Sequence, residues 1–229
     1  MYYLLYMETK LINIDKIMNA KPIDEPWQHF IVDDVINLDF TEINSFIKDD
    51  NLYYRLQDEF QTYLPSILDK FKPVRLDKDD EIFVDIRFIS TPPDSYGGVH
   101  GDNLQKVWTI IIYAWPEKSS GTVLWTNVSL DESPHCYDEK PSGLTVHNGD
   151  IIESVMHSEV DWKVNRAIFF SPGEKKDGWT ETPHQIINAS KDTGRLILMF
   201  NVFKSKLGGV HSKEECKPFS KQNFDDYCG

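Results

Sequence analysis

At Ile82 the spacing of apolar residues changes from that of a helix to that of a sheet. No other feature of the chain constrains its fold as strongly. Upstream, Leu52, Leu56, Phe60, Leu64, Ile67, Leu68 and Phe71 recur at intervals of three and four, with one adjacent pair. That is the apolar stripe of an amphipathic helix of about four or five turns. Pro65 lies inside it and predicts a kink or a break into two helices. Downstream, Ile82, Val84, Ile86 and Phe88 alternate with Phe83, Asp85, Arg87 and Ile89, the pattern of a half-buried strand. Further strand signals fall at 107–113, 122–126, 144–146, 166–170, 184–189 and 195–203, separated by Gly, Pro, Asn and Asp clusters. Helices first and many short strands afterwards predict a mostly β (α+β) fold. The expected form is a barrel or sandwich with the N-terminal helices packed on one side.

The chain divides accordingly. Residues 1–81 form a helical lead-in, 82–204 the β core and 205–229 a charged tail of little periodicity. Within the lead-in, Phe30-Ile31-Val32 reads as a short strand. Asp39 with Glu42 reads as a capping box before a short helix carrying Ile43, Phe46 and Ile47. Residues 72–81 are a charged connector, and the polar loop at 127–142 is positioned to cover the mouth of a barrel. With 229 residues, no internal repeat and no low-complexity tract, one domain is the economical reading.

Charge and cysteine usage exclude several function classes. A net charge of -13 is the wrong sign for non-specific binding of nucleic acid, while a basic partner stays open. The three cysteines, Cys136, Cys216 and Cys228, are widely spaced, which argues against a disulfide framework or a cysteine zinc site. The apolar run Met1–Met7 is too short for a signal core and is followed at once by Glu8. No stretch reaches transmembrane length. A soluble cytoplasmic protein, with neither nucleic acid nor membrane as partner, is the expectation.

The chemistry concentrates around His100-Gly101-Asp102, between the turn-rich run at 91–98 and the apolar run at 107–113. Side chains two apart on an extended backbone share a face, so this imidazole and this carboxylate converge. A second histidine from a later strand completes a two-histidine, one-carboxylate triad, which leaves three positions of an octahedral iron open. Seven histidines are available: His29, His100, His135, His147, His157, His184 and His211. His184 fits best, because it opens a late strand. His157 is its rival, and His147, before Asn148-Gly149-Asp150, reads as a turn residue. Eleven positions after His184, Arg195 opens the apolar run Leu196–Phe200, and a hairpin between the two runs places both in one barrel. A guanidinium there offers a planar fork for a carboxylate, and its burial demands something acidic opposite. Tyr96, Trp108, Trp125 and Trp179 read as core or rim aromatics. No G-x-S-x-G nucleophile motif is present.

Five elements occur together in order: His100-Gly101-Asp102; the apolar run ending in Tyr113; Gly121-Thr122-Val123-Leu124-Trp125; Asn165-Arg166-Ala167-Ile168-Phe169-Phe170; and His184 followed by Arg195. In this the chain resembles the 2-oxoglutarate and iron(II)-dependent dioxygenases, the prolyl-hydroxylase-like branch in particular. The resemblance covers residues 82–203. It implies a double-stranded β-helix (jelly-roll) core, with Fe(II) held by His100, Asp102 and His184. It further implies 2-oxoglutarate anchored by Arg195 with Tyr113 as a second contact, and O2 and a substrate as the other partners. The expected reaction hydroxylates a C–H bond and releases succinate and CO2. Ala114-Trp115 after the tyrosine, a lone glycine at Ser120-Gly121 and a longer histidine-to-arginine spacing depart from the branch and put a proline substrate in doubt. A cupin-like metal-binding barrel without 2-oxoglutarate chemistry and a non-catalytic binding module are the alternatives. The substrate itself, whether peptidyl side chain, amino acid or small metabolite, is not legible, because loops carry substrate contacts.

Overall fold

The computed structural model describes residues 10–40, 50–73, 76, 80–93, 101–102, 106–126, 144–147, 150–153, 155–173, 175–176, 179–180, 182–186 and 194–204. A short helix α1 (Ile14–Met18) and strand β1 (Phe30–Asp33) come first. The long helix α2 (Asp50–Phe71) follows. Next come β2 (Ile82–Thr91), β3 (Lys106–Trp115) and β4 (Thr122–Thr126). A hairpin of β5 (Leu144–His147) and β6 (Asp150–Glu153) precedes β7 (Val155–Val160) and β8 (Arg166–Phe170). A small ladder of β9 (Lys175–Lys176) and β10 (Trp179–Thr180) leads to β11 (His184–Ile186) and β12 (Arg195–Lys204). The fold of the described residues is mostly β with few helices.

Five strands form one antiparallel sheet in the order β1-β8-β3-β12-β2, and three form a second in the order β11-β4-β7. The apolar patterning explains how the large sheet is covered. Leu196, Leu198, Phe200 and Val202 of β12 share a face with Ile110 and Ile112 of β3 and Val84, Ile86 and Phe88 of β2. This face packs on Leu56, Phe60, Leu64 and Ile67, the stripe of α2. The Phe60 and Phe200 rings lie 4.8 Å apart. Each such buried side chain contributes about 1.5–3 kcal/mol. The opposite face presents Ile111, Tyr113, Ile168, Phe170 and Ile197 to Leu124 and Val160 of the small sheet. The interior between the two sheets is therefore lined by the odd-numbered residues of β3 and β12.

Two expectations are corrected, the break into two helices at Pro65 and the hairpin between the runs that His184 and Arg195 open. Helix α2 runs as one element from Asp50 to Phe71, through Pro65. Pro65 is exposed, so the carbonyl its ring leaves without a donor faces water, while Leu64 and Ile67 stay anchored in the core. The runs at 184–186 and 195–204 do not form a hairpin. β11 pairs with β4, whereas β12 is already flanked by β2 and β3. Sequence patterning also missed α1, too short for a period to show, and the polar strands β6 and β7.

The strand pairing gives two apposed antiparallel sheets but does not by itself trace a jelly roll. The capping-box helix before Asp50, the loop at 127–142, the tail from 205 and the apolar run at 1–7 lie outside the described residues. Among the described residues, no helix is long and apolar enough to cross a membrane.

Candidate active site

Asp102 precedes β3 and is 7% exposed. Its Oδ1 accepts from Lys106 Nζ at 2.6 Å and its Oδ2 from Thr109 Oγ1 at 2.6 Å. Burial disfavours the charged carboxylate. The charges of Lys106 and His184 and the two hydrogen bonds together outweigh that burial and hold the carboxyl well below its usual range. Each oxygen keeps a second lone pair. The local reason for this placement is the chain itself: Lys106 is the first residue of β3, and Thr109 points into the intersheet space.

His184 opens β11 opposite Leu124 and is 3% exposed. Its Nδ1 lies 3.0 Å from the Thr182 carbonyl, and an edge of its ring meets Phe170 at 5.0 Å between centroids. A carbonyl only accepts, so Nδ1 carries a proton, and with Nε2 unprotonated the ring takes the tautomer in which Nε2 can bind a metal. This is the tautomer a metal-ligating histidine adopts. Asp102 and His184 thus come together in a dry interior, near enough for the imidazole to act on the carboxyl. One anionic oxygen donor and one imidazole suit a divalent metal such as iron(II). His100 lies outside the described residues, and among those described no group of three metal-ligating side chains forms. His157 falls at the irregularity of the β4–β7 pairing, and His147 is the last residue of β5 rather than a turn position. The side chains of these two histidines are outside the description.

Arg195 is 1% exposed. Its Nη1 donates to the Ser120 and Gly121 carbonyls, each at 3.1 Å, and its guanidinium sits 5.6 Å from the centre of the Trp162 ring. Nε and Nη2 are buried without a hydrogen-bond partner among the described residues. The acidic group expected opposite the arginine is not an ion-pair partner from the described protein. Glu159 acts on it only through space, and its Oε1 accepts from the Gly121 N–H at 2.8 Å. Burial brings the guanidinium down to about 10, with Tyr113 and Glu159 opposing, so it stays charged at neutral pH.

Tyr113 is fully buried, stacked on Trp162 at 4.6 Å. Its hydroxyl bonds Thr122 Oγ1 at 2.9 Å, with the Val160 carbonyl at 3.4 Å. Burial pushes it up to about 12, with the Thr122 hydrogen bond and Arg195 opposing. It is therefore a neutral hydroxyl beside the arginine. Gly121 has no room for a side chain: a Cβ there would lie 1.6 Å from the Val160 carbonyl oxygen. That close approach lets β4 present the carbonyl that Arg195 uses. Along β4, the Gly121 carbonyl and the Leu124 partner of His184 are three residues apart, about 10 Å at strand rise.

Sequence reading missed Lys106, Thr109, Trp162 and Glu159. The spacing of four between Asp102 and Lys106 was available as a signal, but off a helix that spacing does not by itself bring two side chains into contact. Nothing local points Trp162 or Glu159 toward Arg195.

No family model matches the sequence, and no curated protein matches it. Among solved structures, a Pseudomonas putida prolyl-4-hydroxylase is similar at 11% identity over 80% of this chain and 88% of that one, with a TM-score of 0.45. An oxidoreductase of the 2OG-Fe(II) oxygenase family from Burkholderia pseudomallei is similar at 12% identity over 83% of this chain and 75% of that one, with a TM-score of 0.30. At these values neither likeness carries a fold or a chemistry over to this chain.

Proposed function

We propose that this chain is a 2-oxoglutarate- and iron(II)-dependent dioxygenase that hydroxylates a C–H bond of its substrate, on a jelly-roll core spanning residues 82–204. The observation that carries the reading is Arg195: a buried cation whose Nε and Nη2 are unused and with which no carboxylate of the described residues is paired. A buried charge in that state needs an anion, and a planar fork suits a carboxylate that arrives with a ligand.

His100, Asp102 and His184 would hold the iron. When bound, iron with 2-oxoglutarate and oxygen supplies the oxidant for C–H hydroxylation, with succinate and CO2 as co-products. Arg195 holds the far carboxylate of 2-oxoglutarate, about 10 Å along the barrel from His184 and so within reach of a short dicarboxylate. Tyr113 gives a neutral hydroxyl beside it. Trp162, Ile111 and Phe170 keep water from the space between. No acid or base from the protein is required.

The test is succinate release on supply of iron(II), 2-oxoglutarate and candidate substrates, together with anaerobic 2-oxoglutarate binding. A metal-loaded protein that does not bind 2-oxoglutarate at millimolar concentration sinks the reading. The ion pair of Asp102 with Lys106 favours a second reading, in which Asp102 is structural and the barrel is a metal-free binding module. Metal analysis of the purified protein separates the two.

A further inference from the structure

One row on the interior face of the large sheet runs from the site described above to two polar side chains that the site does not use. Phe170 of β8, Thr109 of β3, Asn201 of β12 and Asp85 of β2 are successive partners across four strands. Directly paired residues share a face, so the four side chains stand at one level. The first two touch the candidate metal residues: Phe170 packs on His184, and Thr109 donates to Asp102. The last two each bury one oxygen that no described residue meets in hydrogen-bonding geometry. Asp85 and Asn201 are 4% and 3% exposed, and among the described residues Asp85 Oδ2 has only an ion-pair partner and Asn201 Oδ1 none. Arg87, next but one along β2, brings Nε to 2.5 Å from Asp85 Oδ2, out of line for a hydrogen bond, with its own side chain 44% exposed.

Buried acceptors left without donors are rare in folded proteins and destabilising. Two side by side at the level of the candidate metal residues, one paired only with a half-exposed arginine and the other without a donor, suit a ligand that brings donors and positive charge. Strand spacing puts Asp85 about 10 Å from Thr109, the reach of one extended side chain. Arg87 indicates which group this carboxylate accepts, and being half in solvent it can turn outward when another cation enters. The net charge of -13 draws cationic molecules toward the protein.

We propose that Asp85 and Asn201 are the substrate-recognition subsite of this chain and bind a cationic nitrogen group, guanidinium or ammonium, carried by the substrate about one side chain's length from the carbon that is hydroxylated. The proposal rests on the oxygenase reading for the reaction but not for the binding. It is tested by calorimetric titration of the N-acetyl methylamides of arginine and lysine, with those of citrulline and norleucine as neutral counterparts. The titrations are made anaerobically into manganese-loaded protein, with and without 2-oxoglutarate.

A cationic probe is expected to bind at least ten-fold more tightly than citrulline, with norleucine undetected. Asp85→Asn is expected to cost at least ten-fold in that affinity and leave 2-oxoglutarate binding unchanged. Asn201→Leu is expected to weaken the probe and, in the absence of ligand, to leave the melting temperature equal or higher. A merely structural amide would lower it. Equal binding of the cationic probe by Asp85→Asn, citrulline as tight as arginine and lysine, or no probe bound at millimolar concentration overturns the proposal. A wild-type protein that binds the cationic probe but not 2-oxoglutarate keeps this subsite and rejects the oxygenase. One that binds 2-oxoglutarate but no probe does the reverse.

Discussion

Replacing Arg195 by methionine keeps the length of the side chain and removes its fork. The structure sets the magnitude. Nη1 is occupied by the Ser120 and Gly121 carbonyls, which leaves Nε and Nη2 for an incoming carboxylate. One charge-assisted hydrogen bond contributes about 1.5–3 kcal/mol, and two to one carboxylate are not additive. The loss in 2-oxoglutarate affinity is therefore about 10- to 150-fold. Metal binding should be unchanged, because the Gly121 carbonyl that the guanidinium bonds and the Leu124 partner of His184 are about 10 Å apart along the chain. The unliganded protein should not lose stability. Methionine gives up two hydrogen bonds to backbone carbonyls but also removes a buried charge whose Nε and Nη2 are unsatisfied among the described residues, and such replacements are commonly neutral or stabilising. Arg195→Lys should keep part of the affinity, as one point charge replaces two directed bonds. The assay is calorimetric titration of 2-oxoglutarate into anaerobic manganese-loaded protein, with a thermal melt of the unliganded form. Equal affinity in wild type and Arg195→Met would refute the reasoning, as would a large drop in melting temperature, which would mark Arg195 as a structural residue.

Asp102→Ala should abolish iron binding, read by metal analysis, whereas His157→Ala should leave occupancy largely intact; loss in the His157 protein equal to that of His184→Ala would move the third ligand there. Tyr113→Phe should weaken 2-oxoglutarate by about 1 kcal/mol, an effect flat between about pH 6 and 10, since the hydroxyl titrates only near 12. Asp33 accepts from Arg166 and Lys163 across the β1–β8 pair, and its carboxyl is held down at about 2 by the Arg166 hydrogen bond first. Its folded value lies below the unfolded value of about 4, so its contribution is complete above about pH 4 and disappears as pH falls toward 2. With the side chain 34% exposed, screening reduces this to about 1 kcal/mol. Melts of wild type and Asp33→Asn should differ at pH 5 and converge near pH 2. Gly121→Ala forces a Cβ against the Val160 carbonyl and should cost about 1–3 kcal/mol in urea unfolding while also weakening 2-oxoglutarate.

Much of the architecture is written in local spacing. The change of period at Ile82 separates α2 from the sheets. The continuous apolar run of β12 marks a strand buried on both faces. His184 and Arg195 stand out because they are polar residues at the openings of apolar strands, and Asp102 because it precedes one. Alternation settles which side of a strand each side chain takes, because that follows from backbone geometry within a few residues. It does not settle which strand lies alongside. Backbone donors and acceptors are the same in every strand, so the choice of β2 and β3 as neighbours of β12, rather than β11, comes from the packing of the whole. Three features exist only after that choice. Lys106 and Thr109 meet the two oxygens of Asp102. Arg195 reaches the carbonyls of β4's approach through Nη1, with Nε and Nη2 unused among the described residues. Asp85 and Asn201, more than a hundred residues apart in sequence, become adjacent buried acceptors. The sequence by itself determined which side chains would face the interior; tertiary structure alone decided which of them would meet there, because hydrogen-bond pairing between distant strands is not encoded in the spacing of either strand.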